Sequence, residues 1–187
     1  MSKPKSNKVD VEEGSYDMVV KTIADIGTQT VKEFNSDDEV EKKQVILVVE
    51  LPELSKKEKP VTLTKWATNA ASSKSFGGQL MKACGLNPKT ADWDDLLGKA
   101  FVGTVEHTES GNAKIKNPVP LKKGQKVGRG FIPTSSCYLD ENYDAESFES
   151  MPEFIQNAMM KSPEFDKVHK KPKGNKAPAK GKSGKKK

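Results

Sequence analysis

Over most of the N-terminal two-thirds of the chain, small or apolar side chains alternate with polar ones. Alternation with a period of two residues predicts β-strands. The clearest case is residues 96–124, which we interpret as one β-hairpin with an apolar face on each strand. Gly111 lies in the expected turn, where its backbone tolerates positive φ. Lys114 and Lys116 face away from the apolar side of the return strand, and Pro118 then stops pairing or confines it to an edge. A basic hairpin of this kind suggests a surface that binds a polyanion.

Three further strands are predicted before the hairpin, at residues 11–27, 40–51 and 60–68. The first has apolar positions on both faces, as expected for a strand that curls around a small barrel. Its even-numbered positions are expected to share one face: Tyr16, Met18, Val20, Thr22, Ala24 and Ile26. In the third strand, Trp66 lies opposite the apolar face that includes Leu63.

One helix is predicted between the third strand and the hairpin. Phe76, Leu80 and Ala83 recur at helical spacing, Ser72 or Ser73 can cap the start, and Gly85 ends it. The order strand, strand, strand, helix, strand, strand matches the OB-fold, a five-stranded barrel with a helix between its third and fourth strands. We therefore predict a mainly β protein with some α structure, built on an OB-fold barrel, although a fold alone does not give a function.

Composition divides the chain into four parts. Residues 1–10 are polar and predicted to be disordered, residues 11–124 form the barrel, and residues 169–187 form a lysine-rich tail that is also predicted to be disordered. Residues 125–168 are a C-terminal extension with a flexible basic loop, an acidic segment from Asp140 to Glu149 and a short amphipathic helix. That helix is expected to dock on the barrel through Phe154, Ile155, Ala158 and Met159.

Charge is unevenly distributed along the chain. The net charge is +6, but residues 169–187 contain nine lysines and no acids, so residues 1–168 carry −3. Only one of the 32 basic residues is an arginine, Arg129. Lysine attracts phosphate generally, whereas arginine is the usual reader of guanine edges, so this composition favours nonspecific nucleic-acid binding over sequence readout.

The sequence gives little support for an enzymatic, metal-binding or membrane function. The two histidines and two cysteines show no metal-ligand spacing, and no phosphate-binding glycine loop is present. We therefore expect no catalytic residues, no cofactor and no metal. Two cysteines are too few for a disulfide framework, and no apolar run approaches the ~20 residues of a membrane span, so we expect a soluble, cytosolic protein that does not contact membranes.

Several short motifs, in order, resemble the replication-associated OB-fold single-strand DNA-binding proteins of tailed bacteriophages and prophages, over about residues 11–168. They are Gly14-Ser-Tyr, Asp25-Ile-Gly-Thr-Gln, Leu96-Leu-Gly-Lys, His107-Thr-Glu-Ser-Gly-Asn-Ala-Lys-Ile, Pro120-Leu-Lys-Lys-Gly, Met151-Pro-Glu-Phe-Ile and Lys161-Ser-Pro-Glu. The resemblance implies a protein that coats single-stranded DNA during phage DNA replication, recombination or repair in the cytoplasm of a bacterial host. No site residue is carried over from it.

The C-terminus departs from the acidic, apolar-tipped tail by which bacterial single-strand-binding proteins recruit partners, because this chain ends in three lysines. The acidic segment from Asp140 to Glu149, with Tyr143 and Phe148 inside it, is the alternative recruiting element for phage or host replication and recombination proteins. Homo-oligomerisation stays open.

Binding of single strands needs a basic groove and aromatic faces on which bases stack. Trp66, near Lys65 and Lys74 in sequence, either stacks on bases or packs under the helix or the extension. Phe34, in a loop, either stacks or anchors that loop, whereas Trp93 is expected in the core. The most concentrated basic run before the tail is either a phosphate-binding surface or a solvated face: Lys114, Lys116, Lys122, Lys123, Lys126 and Arg129.

A second hypothesis treats the protein as a phage structural or protein-interaction module whose basic tail contacts DNA nonspecifically. A third is a histone-like protein that binds duplex DNA through the tail while the barrel is passive. Equal affinity for single and double strands that disappears with the tail would indicate the third.

Overall fold

A computed structural model of the chain describes residues 11–33, 36–70 and 72–169. The strands are β1 (Gly14–Lys32), β2 (Glu39–Glu50), β3 (Thr62–Thr68), β4 (Ala100–His107), β5 (Ala113–Val119) and β6 (Ser135–Cys137). The helices are α1 (Phe76–Ala83), α2 (Ala145–Ser150), α3 (Glu153–Met160) and α4 (Pro163–His169), with a 3-10 helix at Trp93–Leu96. The predicted disordered segment 1–10, the loop residue Phe34 and the tail from Lys170 onward lie outside the described residues.

The strands form one sheet in the order β3-β2-β1-β4-β5, with antiparallel pairing throughout this path. β6 adds to β1 as a parallel partner. The prediction of a mainly β fold with some α structure is confirmed, but the expected closed barrel is not found, because β3 and β5 approach each other without pairing. β5 contains a bulge near Pro118, which lacks a backbone donor, and α1 contacts both strands.

The hairpin formed by β4 and β5 confirms the prediction for this segment. Gly111 adopts φ +73°, and the Thr108 N–H donates to the Asn112 carbonyl over 2.9 Å. Phe101 and Val105 are buried on one side of β4, and Ile115 is buried on β5 between two exposed lysines. The local alternation of side chains therefore decides which face of the hairpin enters the core.

β1 follows its predicted alternation only as far as Val20. The register with β2 shifts between Val20 and Thr22, so Lys21 is an extra residue in a β-bulge. Ile23 consequently joins Met18 and Val20 in one core, whereas Ala24 turns to the opposite face. The prediction that the even-numbered positions share a face is wrong beyond the bulge, because one inserted residue reverses the facing of the residues after it.

Two apolar cores lie on opposite faces of the sheet. The first packs one face against α1 and the 3-10 helix, and Trp93 borders it as a half-buried residue whose Nε1 donates to Asn69 Oδ1 over 2.9 Å. The second packs Ile46 of β2 and neighbouring residues against β6 and α2–α4. Ile155, Ala158 and Met159 are buried there as expected, but Phe154 is 45% exposed and does not take part in the docking.

Helix α1 begins later than predicted. Ser75, rather than Ser72 or Ser73, is its N-cap, and the Ser75 hydroxyl accepts from the Gly78 N–H over 3.1 Å. At its other end the Leu86 N–H donates to the Met81 carbonyl over 2.8 Å, as in a glycine-terminated helix. None of the helices in the described ranges is long and apolar enough to cross a membrane.

Candidate nucleic-acid interface

β3 lies at one edge of the sheet and directs neighbouring side chains to opposite faces. Trp66 pairs across the ladder with Ile46 of β2, on the face of the second core. Trp66 is nevertheless 47% exposed, so neither α1 nor the C-terminal extension covers it completely. Lys65 shares a face with Leu63 and Ala67, which are buried in the first core, so it emerges on the face opposite Trp66. An extended ligand that crosses this edge can reach both side chains.

Lys65 meets two of the predicted hairpin lysines across the gap between β3 and β5. Its Nζ lies over the Phe76 ring, 4.7 Å from the centroid. Burial lowers the pKa of Lys65, and the positive charges of Lys114 and Lys116 lower it further. We call these three residues the lysine seam. A phosphate bound at the seam would relieve their mutual repulsion, so the arrangement favours an anionic ligand.

The outer side of the hairpin also contains an acid. Glu106 pairs with Lys116 in a half-exposed salt bridge and lies opposite Lys114 in the ladder. Such a surface pair contributes little stability, so Lys116 can exchange it for a phosphate at small cost. The hairpin is therefore less basic than its lysines alone predict.

A buried ion pair anchors the basic loop that follows the hairpin. Lys21, in the bulge of β1, donates to the Arg129 carbonyl, and its Nζ lies 3.8 Å from Glu50 Oε2. The Glu50 carboxylate accepts from the Phe131 N–H at 2.8 Å and the Ile132 N–H at 3.0 Å. Both charged side chains are buried, so they compensate each other and attach the loop to the sheet.

A second anchor holds the loop nearer the hairpin, where the Gln125 amide donates to both Asp17 carboxylate oxygens at 2.7 and 2.8 Å. The loop was predicted to be flexible, but Lys21 holds its backbone at Arg129 and Asp17 holds the Gln125 side chain, so the loop is attached to β1 at two points. Four exposed basic residues, which we call the basic ridge, project from it: Lys122, Lys123, Lys126 and Arg129. The predicted basic run is therefore divided between two structural elements. Lys114 and Lys116 of the lysine seam belong to the sheet, whereas the basic ridge belongs to an anchored loop.

Trp66 lines a cleft together with residues from other elements. They are Thr28, Gln29 and Thr30 of β1, Glu41 of β2, and Lys161 and Pro163 at the turn between α3 and α4. Lys161 begins one of the motifs of the family resemblance but was not predicted to bind DNA, because no local pattern indicates that this turn lies against β1. The cleft therefore places a cation beside the exposed indole from a part of the chain nearly one hundred positions away.

The turn between α3 and α4 is held tightly against β1. Gly27 adopts φ +66° at the second bulge of β1, and a Cβ atom there would overlap the Ser162 hydroxyl. Glu164 accepts from the Thr28 N–H at 3.0 Å and the Thr28 hydroxyl at 2.6 Å. Burial by itself would raise the pKa of Glu164, but hydrogen bonds from Ser162 and Thr28 outweigh it and lower the pKa to about 2. The wall of the cleft that contains Lys161 is therefore firmly positioned.

The remaining candidates are less well supported. Lys74 is exposed in the turn before α1, and Phe34 lies outside the described residues. In the acidic segment, Phe148 is buried, and its ring lies tilted against that of Phe165 at a centroid distance of 5.0 Å. Tyr143 is half-buried, and its hydroxyl lies 2.8 Å from Nδ1 of His169, a residue of α4 that was predicted to belong to the tail. Tyr143 and Phe148 therefore pack within the C-terminal extension. A protein partner that bound the acidic segment would contact mainly its acidic side chains.

Another cleft is strongly acidic. Its lining includes Asp25, Asp94 and Asp140, and Tyr138 donates its hydroxyl to Asp94 Oδ1 over 2.7 Å. Burial raises the pKa of Asp25, and the nearby charge of Asp140 raises it further. Within the described ranges no group of three or more histidine, cysteine or acidic side chains is arranged to hold a metal ion. The acidic cleft repels a phosphate backbone and therefore favours passage over the lysine-bearing surfaces.

No family model matches this chain, and neither a curated protein nor a solved structure does. The resemblance to phage single-strand DNA-binding proteins therefore stays a prediction from the sequence motifs. The function has to be argued from the geometry of the interface.

Proposed function

We propose that this protein binds single-stranded DNA with little sequence preference, by electrostatic capture on lysines and stacking of a base on Trp66. The observation that carries the proposal is the exposed Trp66 on an edge strand whose opposite face leads to the lysine seam. Nonspecific single-strand binding uses this combination, since every base has a face that can stack and every nucleotide has a phosphate.

We also propose that the sheet is an OB-fold opened between β3 and β5. The strand order and the position of α1 between β3 and β4 support this assignment. OB-folds bind oligonucleotides at the face formed by strands 2 and 3 and at the loop between strands 4 and 5. In this chain those regions contain Trp66 and the hairpin that contributes two lysines to the seam.

The biological role follows from the sequence resemblance together with this interface. The protein would coat strands exposed during phage DNA replication, recombination or repair in the cytoplasm of a bacterial host. The nine lysines of residues 170–187 would raise the local concentration of DNA around the sheet. The acidic side chains between Asp140 and Glu149 remain the proposed contact for a replication or recombination partner.

The test compares labelled single- and double-stranded oligonucleotides of equal length by fluorescence anisotropy. It uses the full-length protein and a variant that ends at His169, which keeps α4 and its contact with Tyr143. We expect the shortened protein to bind more weakly but still to prefer single strands. If its binding disappears, the lysine tail accounts for DNA affinity and the interaction-module hypothesis becomes the better one. If it binds both forms equally, the remaining surface attracts DNA by charge alone, which would overturn the single-strand proposal.

A further inference from the structure

The cleft beside Trp66 offers different chemical groups on its different walls. Trp66 supplies an exposed aromatic face, Lys161 a cation, and Glu41 a carboxylate. These side chains belong to β3, the α3–α4 turn and β2, so only the folded chain brings them together. The combination matches the three parts of a nucleotide that a protein can recognise: the base face, the base edge and the phosphate.

Two base-edge groups of the cleft, on Gln29 and Glu41, can only accept, whereas the Thr30 hydroxyl in the same lining can donate or accept. Gln29 Nε2 donates to the Ile26 carbonyl at 2.7 Å and to the Ala158 carbonyl at 3.0 Å, so both amide hydrogens are engaged. The Gln29 Oε1 atom is then the group of this side chain that can bind a ligand. A carbonyl oxygen can only accept a hydrogen bond. The Glu41 carboxylate, exposed on β2, also only accepts when ionised.

We propose, building on the proposed function, that this cleft binds one nucleotide of the bound strand and prefers a base with an exocyclic amino group. The base stacks on Trp66, its amino group donates to Glu41 or Gln29, and Lys161 contacts an adjacent phosphate. Cytosine carries such a donor at N4, whereas thymine presents a carbonyl at the same position and repels the acceptors. The cleft therefore adds a modest base preference to an otherwise nonspecific interface.

The position of Lys161 does not depend on the ligand. Gln29 ties β1 to the end of α3, and Glu164 ties β1 to α4, so the turn between them is attached on both sides. Little ordering is then needed when a nucleotide enters, which favours binding.

The experiment measures binding of oligo(dC) and oligo(dT) of equal length to the full-length protein at one salt concentration, by quenching of tryptophan fluorescence. We expect oligo(dC) to bind about fivefold more tightly, the size expected for one additional hydrogen bond. Quenching should be lost in Trp66→Phe, since the remaining Trp93 borders the first core and donates to Asn69. Glu41→Gln introduces an amide donor that thymine can accept, so it should reduce the preference for oligo(dC).

Lys161→Gln should weaken binding of both oligonucleotides and reduce the salt dependence by about one phosphate contact. The matched control is Lys167→Gln, which removes the same charge from an exposed position of α4 outside the cleft. Equal affinity for the two oligonucleotides, with Lys161→Gln indistinguishable from Lys167→Gln, would overturn the cleft proposal. If the protein still prefers single strands in a salt-dependent way, the proposed function is retained and only the cleft proposal is wrong. Absence of single-strand binding would overturn both the cleft proposal and the proposed function.

Discussion

Trp66 and Lys65 are adjacent in the chain but belong to the proposed interface from opposite faces of one strand. The indole is next to the second core without being covered by it, and the ammonium group passes the first core to reach the gap between β3 and β5. Their roles differ because successive side chains of a strand point in opposite directions. An edge strand makes this alternation useful, since a flexible ligand can contact both faces.

Replacing Trp66 by alanine should weaken single-strand binding by about 1–3 kcal/mol, the range for loss of one base-stacking contact. Trp66→Phe should retain most of the affinity because a ring remains. The control is Phe154→Ala, which removes another exposed aromatic side chain at a position on α3 that does not line the cleft. Anisotropy titrations give the affinities, and circular dichroism verifies the fold. Equal affinities for Trp66→Ala and the native protein would remove Trp66 from the interface.

Glu164 should make the free energy of unfolding depend on pH in the acidic range. Its pKa of about 2 in the folded protein is below the ordinary value of 4.5, so its contribution is complete above about pH 4.5 and is lost as the pH falls toward 2. The carboxylate keeps some contact with water, so we expect the loss to be about 1–2 kcal/mol. Urea unfolding at pH 5 and at about pH 2 should show a larger decrease for the native protein than for Glu164→Gln. Parallel decreases would contradict this assignment.

At the scale of secondary-structure elements, the two bulges of β1 organise the molecule. The first places Lys21 where it can reach the loop after β5, and the second places Gly27 under the turn between α3 and α4. Both segments of the C-terminal extension thereby attach to the central strand of the sheet. The basic ridge and the Trp66 cleft consequently depend on irregularities in one strand.

Lys21→Met should destabilise the protein by about 3–5 kcal/mol, because it leaves the carboxylate of Glu50 buried without its cation. The double variant Lys21→Met with Glu50→Gln should be more stable than Lys21→Met alone, since the buried charge is gone while the introduced amide oxygen can still accept from the loop. Denaturant unfolding of the native protein, the two single variants and the double variant measures the coupling. Strictly additive effects would show that the two side chains do not stabilise each other.

The whole molecule separates its charges. Residues 1–168 carry −3 and residues 169–187 carry +9, yet lysines collect on the described part at the seam and the ridge. The acidic cleft lined by Asp25 and Asp140 occupies another part of the surface. If the protein binds a polyanion as proposed, this distribution would attract the polyanion at some surfaces and repel it at others, and both effects would weaken with salt.

Affinity for single strands should therefore fall steeply with salt, with a log–log slope of about 0.7 for each phosphate neutralised. Replacing Lys65, Lys114 and Lys116 together by glutamine should reduce the magnitude of this slope by about 2. The control replaces Lys56, Lys57 and Lys59, exposed residues of the loop between β2 and β3, and removes the same net charge. If both triple variants lose the same amount of slope, general charge rather than the seam accounts for the attraction.

Features that depend on neighbouring residues could be predicted from the amino-acid sequence. Alternation located the strands, Gly111 located the hairpin turn, and the spacing of Phe76, Leu80 and Ala83 located α1. Each of these follows from backbone preferences and side-chain periodicity within a few positions. The charge separation along the chain is likewise a property of composition.

Contacts between distant parts of the chain could not be predicted from the sequence and became known from the fold. The bulge at Lys21 reversed the facing of β1, the sheet stayed open between β3 and β5, and Lys161 came to lie beside Trp66. These outcomes depend on strand register and on packing between segments far apart in sequence. A single extra residue in a strand changes every contact after it, and no local pattern records which residue that will be.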